Sequence, residues 1–531
     1  MAGGRTRHRD VAGPPEGGPH GVGPHSGVAG PPQGGPHVSG PGVVIWLRRA
    51  GLVLACAALL VSTAQAASTL IDAVKHGDRA AIRTILQTRP NVNAASADGT
   101  TALHWAAQLN DLETTQLLLK AGANVRAVNR YGMTPLQAAA VNGNPQLLAA
   151  LLKAGADPNA VLPEGETVLM TAARTGRVDA LTVLIEGGAR LDGQENWFGE
   201  TPLIWAAAED HAGAVELLIR RGADVNGRSA RQTLRSRRNG QSILPLGSWT
   251  PVMYAARENA LDAGRALVAA HADLDLVDPD GATALVIAII NANYDFAKLL
   301  LDAGANPNLV DTDANMGPLY AAIDMHRLAI GHGRPNPKPS GELDAVDIVR
   351  LLLEHKADPN AKLKAALMQR QHTAGDSTLA AGATPLMRAA KSGDAAMVKL
   401  LLAAGADPAL TLPNHTTPLM LAAGLGWRDG SPAAPSYDQG TPEEAVETIK
   451  LLKAAGVDIN ASNDAGDTAL HVAVTGRGSD VIVRGLIELG ANLKAPNKRG
   501  QTPLDVATAS RKDVAPLVAL LREAALAGPS H

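Results

Sequence analysis

A short pattern of polar and apolar residues recurs along this chain at a nearly constant spacing. Residues 101–107 read Thr-Ala-Leu-His-Trp-Ala-Ala, and related phrases begin at Thr134 and Thr167, each 33 residues after the one before. Each phrase is followed by a Leu-rich run and then by Gly-Ala-Asp or Gly-Ala-Asn, as at 122–124. A fixed period of this length predicts an array of stacked structural repeats.

Each repeat predicts two short helices joined by a tight turn. Thr134 is placed to cap the first helix, and Pro135 suits its first position because proline has no N–H that needs a partner. Asn142-Gly143 breaks this helix, and residues 146–153 place leucines on one side of a second helix. Gly155 then supplies a left-handed C-cap. Neither helix buries enough surface alone, so the units must stack.

The repeated wording resembles the ankyrin repeat over residues 67–525. Further phrases begin at Thr69, Thr201, Thr250, Thr283, Gly317, Thr384, Thr417, Thr468 and Thr502. The resemblance implies an all-α fold, a solenoid of about twelve helix-pair units with β-hairpin finger loops between them. It also implies that the concave face, made of fingers and helices, binds an unknown protein partner.

Some positions depart from the ankyrin pattern. Its characteristic histidine is present as His104 and His471, and elsewhere it is replaced, by Gln137, Met170, Ile204, Met253 and Asp505 among others. In the family this histidine joins adjacent units through polar contacts, so we expect that network to be weakened here. The C-cap glycine is replaced by His271 and Lys356, at a cost of about 1 kcal/mol each. The repeats around these two residues are predicted to be softer, that is, locally less stable than the others.

Residues 46–66 have the features of a secretory signal peptide. Two arginines precede an apolar run, and Ala64-Gln65-Ala66 is a small-residue cleavage site. The apolar run is shorter than the roughly 20 residues that span a membrane, which favours cleavage over a retained anchor. A lipoprotein modified at Cys56 and the twin-arginine export route are alternatives. We therefore expect a periplasmic or secreted protein with no stable membrane insertion.

The segment 1–45 is rich in Gly, Pro and His and is predicted to be disordered. A signal peptide belongs at the N-terminus, so translation is expected to begin near Val43 or Val44; a His-rich metal-binding tail is the alternative. Cys56 is the single cysteine, and its removal with the signal peptide excludes disulfide and thiol chemistry in the mature chain. Residues 526–531 form a short tail.

Charge and motifs give little indication of catalysis. The net charge of −3 does not favour nucleic-acid binding, and phosphate-loop, nucleophile-elbow and zinc-helix patterns are missing from the sequence. His326 and His332 lack further ligands at metal-binding spacing, and His372 with Asp376 lacks a nucleophile. Glu443-Glu444 is better explained as charge at a helix N-terminus. The sequence predicts a monomeric, non-enzymatic protein without cofactor or metal.

Four insertions interrupt the spacing, near residues 227–248, 331–341, 362–382 and 424–441. The first and third extend a finger, whereas the second and fourth separate the two helices of a unit. Insertions in repeat arrays map to loops, which often carry function. The last three lie in consecutive units, so an alternative function is a ligand-binding or enzymatic site formed where they meet.

Aromatic residues are scarce and cluster beside the arginine-rich first insertion. Trp197 and Phe198 fall at exposed finger positions, and Trp249 is expected near the surface, whereas Trp205 and Tyr254 fall at a packing position. Exposed Trp and Arg are enriched at interface hot spots. The arginines alternatively form a solvated loop, or bind an anionic polymer or lipid. The predicted binding residues are Trp197, Phe198, Trp249, Arg228, Arg231, Arg235, Arg237, Arg238, Arg130, Tyr131 and Trp427.

Overall fold

The structure, a computed structural model, describes residues 70–231, 247–327, 337–366, 378–424, 440–476, 478–509 and 515–527. Within these ranges the regular elements are α-helices, and β-structure is limited to isolated bridges. The prediction of an all-α solenoid is confirmed. The predicted signal peptide, Cys56, His332, His372, Asp376, Arg235, Arg237, Arg238 and Trp427 lie outside the described residues.

Helices alternate between an inner and an outer layer along the chain. The inner helices, which begin at the repeated phrases, are α2 (Ala102–Gln108), α4 (Pro135–Asn142), α6 (Val168–Arg174), α8 (Pro202–Ala208), α10 (Pro251–Glu258), α12 (Ala284–Ile290), α14 (Pro318–His326), α16 (Pro385–Lys391), α18 (Pro418–Ala422), α20 (Ala469–Thr475) and α22 (Pro503–Ala509). The outer helices are α1 (Arg79–Gln87), α3 (Leu112–Lys120), α5 (Pro145–Lys153), α7 (Val178–Glu186), α9 (Ala212–Arg220), α11 (Leu261–Ala269), α13 (Tyr294–Asp302), α15 (Ala345–Glu354), α17 (Ala395–Ala403), α19 (Pro442–Ala454), α21 (Asp480–Glu488) and α23 (Ala515–Ala527). Inner helices pack on inner helices and outer on outer.

The polar links between units are partly retained. His104 Nε2 lies 3.0 Å from the Met133 carbonyl of the next finger, and His471 Nε2 lies 3.0 Å from the Gln501 carbonyl. Gln137 reaches the Ala160 carbonyl through a longer bond of 3.4 Å. The methionine replacements have no N–H to give. The expected weakening of the network is therefore confined to units without His or Gln.

The helix C-caps have the conformation that the sequence predicts. Gly155 has a φ of 93°, and His271 and Lys356 adopt the same left-handed region, with φ values of 58° and 69°. A side chain in this region is strained because its Cβ approaches the backbone. The softness of these two repeats remains a prediction.

Successive fingers are joined by backbone hydrogen bonds near their tips. In the described fingers the donor and acceptor pairs are Arg130 to Asp98, Asn196 to Glu164, Ala230 to Phe198, Thr312 to Asp280, Lys364 to Ala314, Asp464 to Asn414, and Lys498 to Ala465. Pro163, Pro279 and Pro413 occupy the donor position in three other fingers and have no N–H to give. The finger tips therefore form a hydrogen-bonded row that is interrupted at these three prolines.

The base of most fingers shares a second feature. The Asp or Asn two residues after the left-handed C-cap accepts a hydrogen bond from the backbone N–H two residues later, a common Asx turn. Residues that do so are Asn124, Asp157, Asp224, Asp273, Asn306, Asp358, Asp407, Asp458 and Asn492, with Asn91 equivalent in the first finger. These turns fix where each finger leaves the helical stack.

Candidate functional site

Trp197 and Phe198 project from the tip of one finger. They are 68% and 54% exposed, as the sequence predicts for finger residues. The buried Glu195 carboxylate holds this tip, because it accepts the backbone N–H groups of Trp197 at 2.6 Å and Phe198 at 2.8 Å. Gly199 closes the turn with a φ of 64°, where a Cβ would lie 2.5 Å from Ala230 Cβ. The two aromatic side chains are thus presented by a fixed backbone.

A groove of about 510 Å³ lies beside this tip and crosses three consecutive fingers. It is lined by Val128, Gly132, Thr134, Ala160, Val161, Leu162, Pro163, Gly165, Thr167, Arg190, Gly193, Gln194 and Asn196. Val128 and Val161 are 58% and 50% exposed, so the groove has an apolar floor open to solvent. Tyr131 and Trp197, next in sequence to the lining residues Gly132 and Asn196, are also exposed.

Tyr131 and Arg130 form the smaller of the predicted clusters. The Arg130 guanidinium donates to the Tyr131 hydroxyl at 2.9 Å and lies 5.1 Å from the ring centroid. This hydrogen bond raises the pKa of Arg130 above its ordinary value. Tyr131 occupies the same repeat position as Phe198, three residues before a phrase, so both aromatics lie at equivalent finger tips.

The expectation that Trp249 lies near the surface is wrong. Its side chain is buried, with Nε1 donating to Asp278 Oδ2 at 3.0 Å and the ring packed edge-on against Tyr254. Asp278 belongs to the next finger, so the indole fastens two units together. Buried in this way, Trp249 cannot serve as an anchor for a partner. Tyr254 is also buried, as predicted.

Arg228 is not part of a projecting cationic loop either. Its guanidinium donates to the Ser248 carbonyl at 2.7 Å and to the Val277 carbonyl at 2.9 Å, which ties the root of the first insertion to the next finger. Arg231 is exposed and pairs with Gly247 across an isolated bridge that closes this root. Of the predicted arginine group, Arg231 is therefore the one described residue that faces solvent.

The inner helices add a second aromatic region. Trp205 is partly buried under Arg174, whose guanidinium lies 5.4 Å from its ring, and Arg257 covers Tyr254 at 5.2 Å. Glu200 lies among them, and burial raises its pKa although a hydrogen bond from Tyr254 opposes this. These aromatic faces are already covered by arginines, so the exposed finger tips are the accessible part.

The alternative of a ligand site depends on where the last three insertions leave the helices and fingers. We call these points the roots of the insertions. Residues 331–341 and 424–441 leave from the C-terminal ends of α14 and α18, whereas 362–382 precedes the N-terminus of α16. The finger root of the last is fixed by bonds of 2.9 Å from Leu363 N–H to the Ala383 carbonyl and from Lys364 N–H to the Ala314 carbonyl. The root of 362–382 therefore lies on the finger side of its unit, whereas the other two insertions leave from helix ends.

A groove of about 380 Å³ lies beside the root of 362–382 and includes Asn308, Tyr320 and Lys362.

Across the described residues, groups of three or more His, Cys, Asp or Glu side chains suited to hold a metal are not found. In the same residues, every helix is too short or too polar to cross a bilayer.

The other two roots meet in a partly buried charged cluster that the sequence did not reveal. His326 Nδ1 lies 2.5 Å from Asp394 Oδ2, and Arg327 lies 2.9 Å from Glu444. Arg388, which is 3% exposed, donates to Asp324 at 2.6 Å. We name these residues the charged clasp. His326 is therefore held by the carboxylate of Asp394, the N-cap of α17, a long-range contact that the sequence spacing of possible ligands did not indicate.

The electrostatics of the charged clasp follow from these contacts. Burial alone would raise the pKa of Asp394, but its bond with His326 and the nearby Arg327 hold it below its ordinary value. The hydrogen bond from Arg327 lowers the pKa of Glu444. Glu444 also forms a capping box with Thr441 at the start of α19, where the sequence predicts acidic charge at a helix N-terminus. One feature of the sequence could have indicated this cluster. Arg388 is charged, whereas the equivalent positions of the other phrases hold mostly apolar residues such as Leu421.

Comparison with known proteins agrees with this architecture. A family model for ankyrin repeats in three copies matches residues 70–162, 137–229, 233–311 and 441–524, and a model for a single ankyrin repeat matches residues 381–411. These matches together cover more than half of the chain.

Curated relatives share the repeats over part of their length. The E3 ubiquitin-protein ligase KEG of Arabidopsis thaliana is 30% identical over 263 residues, which cover 44% of this chain and 14% of that protein. The transient receptor potential cation channel subfamily A member 1 homolog of Caenorhabditis elegans is 29% identical over 46% of this chain and 16% of its own. The B-cell lymphoma 3 protein homolog of Mus musculus is 34% identical over 44% of this chain and 50% of its own. From the repeat models and the stacked helix pairs, the chain belongs to the ankyrin repeat family.

Proposed function

We propose that this protein is a scaffold that binds a protein partner on its concave finger-and-helix face, with Trp197 and Phe198 as anchors. The observation that carries the proposal is the exposure of two adjacent aromatic side chains on a tip held by the buried Glu195. Ankyrin repeats generally mediate protein–protein interaction. A fixed tip loses little conformational freedom on binding, so its apolar contacts contribute more of their energy to affinity.

The scaffold acts by recognition, without catalysis, cofactor or metal, and as a monomer. Its partner is a protein, not a nucleic acid, in keeping with the near-neutral net charge. Export to the periplasm or beyond is supported by the sequence pattern of residues 46–66. Tyr131 and the apolar groove extend the contact area from the anchors across neighbouring fingers.

Affinity capture with the full chain tests this proposal. The wild type is compared with a Trp197→Ala/Phe198→Ala variant and with Leu526→Ala, a control that removes an exposed apolar side chain at the far end of the array. Partners retained by the wild type and the control are expected to be lost by the double variant. The double substitution is expected to weaken the binding free energy by about 2 kcal/mol or more, as for a hot-spot pair. Equal retention by all three proteins would show that the anchors are wrong.

A further inference from the structure

The groove beside the anchors has one charged side chain among its lining residues, Arg190. Arg190 is exposed, and it makes no ion pair with any residue in the described part of the chain. Val128 and Val161 contribute the exposed apolar floor. A cation at the edge of an apolar floor is complementary to a segment that carries a carboxylate next to an aliphatic side chain.

Arg190 also breaks the rule that shapes the other fingers. It occupies the position where the described fingers otherwise have Asp or Asn, whose side chain accepts the backbone N–H two residues later. A guanidinium has donors and no acceptor, so this turn bond is lost in the Arg190 finger. Its backbone N–H keeps the usual bond to Asn159 Oδ1, at 2.9 Å, so the finger is otherwise in register. Departures from a local folding rule are expected at functional positions.

A backbone acceptor lies at the same groove. Pro163, a lining residue, stands where other fingers donate an N–H to the preceding tip, and it leaves the Tyr131 carbonyl without that bond. Tyr131 precedes Gly132, which also lines the groove. A main-chain N–H of an extended segment that reached this carbonyl would replace the missing bond.

Resting on the proposed function, we infer that this groove holds an extended segment of the protein partner. An aliphatic side chain of that segment packs on Val128 and Val161, and an aspartate or glutamate carboxylate pairs with the Arg190 guanidinium. The planar guanidinium can give two parallel N–H bonds to a carboxylate, which distinguishes it from an apolar or cationic residue at the same place.

Random dodecamer peptides displayed on phage are the probe, selected on the full-length protein. Wild-type protein is expected to enrich peptides with a carboxylate beside an aliphatic residue. Arg190→Asp restores the missing Asx turn, so we expect a higher unfolding temperature together with loss of that carboxylate preference. The best selected peptide is expected to bind this variant about tenfold more weakly by fluorescence anisotropy.

Arg177→Asp is the matched control. Arg177 is also exposed, it lies at the opposite end of its unit as the N-cap of α7, and aspartate there is a favourable cap. The Arg177→Asp variant carries the same charge change as Arg190→Asp and a similar gain in local structure. Its peptide selection and peptide affinity are nevertheless expected to stay as in the wild type. A more stable Arg190→Asp protein that has lost the peptide excludes misfolding as the cause.

Two results overturn the inference: selected peptides without carboxylate enrichment, or equal affinity for wild type and Arg190→Asp. The proposed function fails separately. If Trp197→Ala/Phe198→Ala loses the captured partner while Arg190→Asp keeps every peptide, the scaffold stands and the groove assignment is wrong. If peptide binding depends on Arg190 but the double variant keeps the partner, the groove stands and the anchors are wrong.

Discussion

The Arg327 guanidinium and the Glu444 carboxylate lie 2.9 Å apart, although 117 residues separate them in the chain. Arg327 follows α14 and Glu444 begins α19, so the pair skips the unit formed by α16 and α17. Units of a repeat array ordinarily contact only their neighbours. This ion pair therefore couples two next-nearest units directly.

A double-mutant cycle on Arg327→Ala and Glu444→Ala measures that coupling by denaturant unfolding. Because Glu444 is 40% exposed, water screens the pair, and we expect a small but measurable coupling free energy of about 0.2–1 kcal/mol. The pair Arg350 and Asp347, 3.0 Å apart on α15, is the control for an ordinary local ion pair. A coupling of zero for Arg327 and Glu444, with a measurable value for the control, contradicts the link.

Arg388 is expected to matter more than either member of that pair. Its side chain is almost fully buried and bonded to Asp324, so Arg388→Ala leaves a carboxylate without its partner. Losses of this kind cost about 3 kcal/mol in the free energy of unfolding. Arg388→Leu with Asp324→Asn removes both charges and should recover much of the loss. A double variant as unstable as Arg388→Ala would show that packing, not charge, is the cause.

Acid should weaken the charged clasp. The folded-state pKa of Asp394 is below its ordinary value of 3.8, so this group stabilises the fold above that pH and the contribution is lost as the pH falls through the lowered value. Asp394→Asn keeps a helix cap but cannot ionise. The stability difference between wild type and this variant is expected to shrink as the pH is lowered from 7 to below 3.8. Thermal unfolding of both proteins across this pH range measures the difference. A difference that stays constant over that range refutes the assignment.

Substitution of the two tryptophans beside the first insertion should change stability to very different extents. Trp249→Ala removes a buried ring and its bond to Asp278, at an expected cost of about 3–5 kcal/mol in unfolding free energy. Trp197→Ala removes an exposed ring and should change stability by less than about 0.5 kcal/mol. Chemical denaturation of the two variants checks this, and similar losses for both would contradict the burial difference.

The left-handed C-caps give a matched pair of substitutions. His271→Gly relieves a side chain at a φ of 58° and should stabilise the protein by up to about 1 kcal/mol. Gly155→Ala imposes the same strain at a φ of 93°, in a place with no atoms within 4 Å of the new Cβ, and should destabilise by a similar amount. Thermal unfolding of both variants measures the effects. A destabilising His271→Gly would show that the histidine has contacts that outweigh the strain.

The sequence by itself determined the repeat and its local structure. Thr134, Pro135 and Gly155 specify where helices begin and end, because caps and left-handed turns depend on neighbouring backbone groups and on the presence or absence of a Cβ. The period then implies the stack, since a single helix pair cannot bury its own apolar side. Exposure of Trp197 and Phe198 followed from the same register.

Only the tertiary structure decided which of the similar residues are accessible. Trp249 also precedes a phrase, yet it is buried because Asp278 of the next finger accepts its indole N–H. The link between Arg327 and Glu444 depends on how units pack in space, and no local pattern encodes it. Side-chain burial and long-range ion pairing are set by neighbouring units, which the spacing of a single repeat does not report.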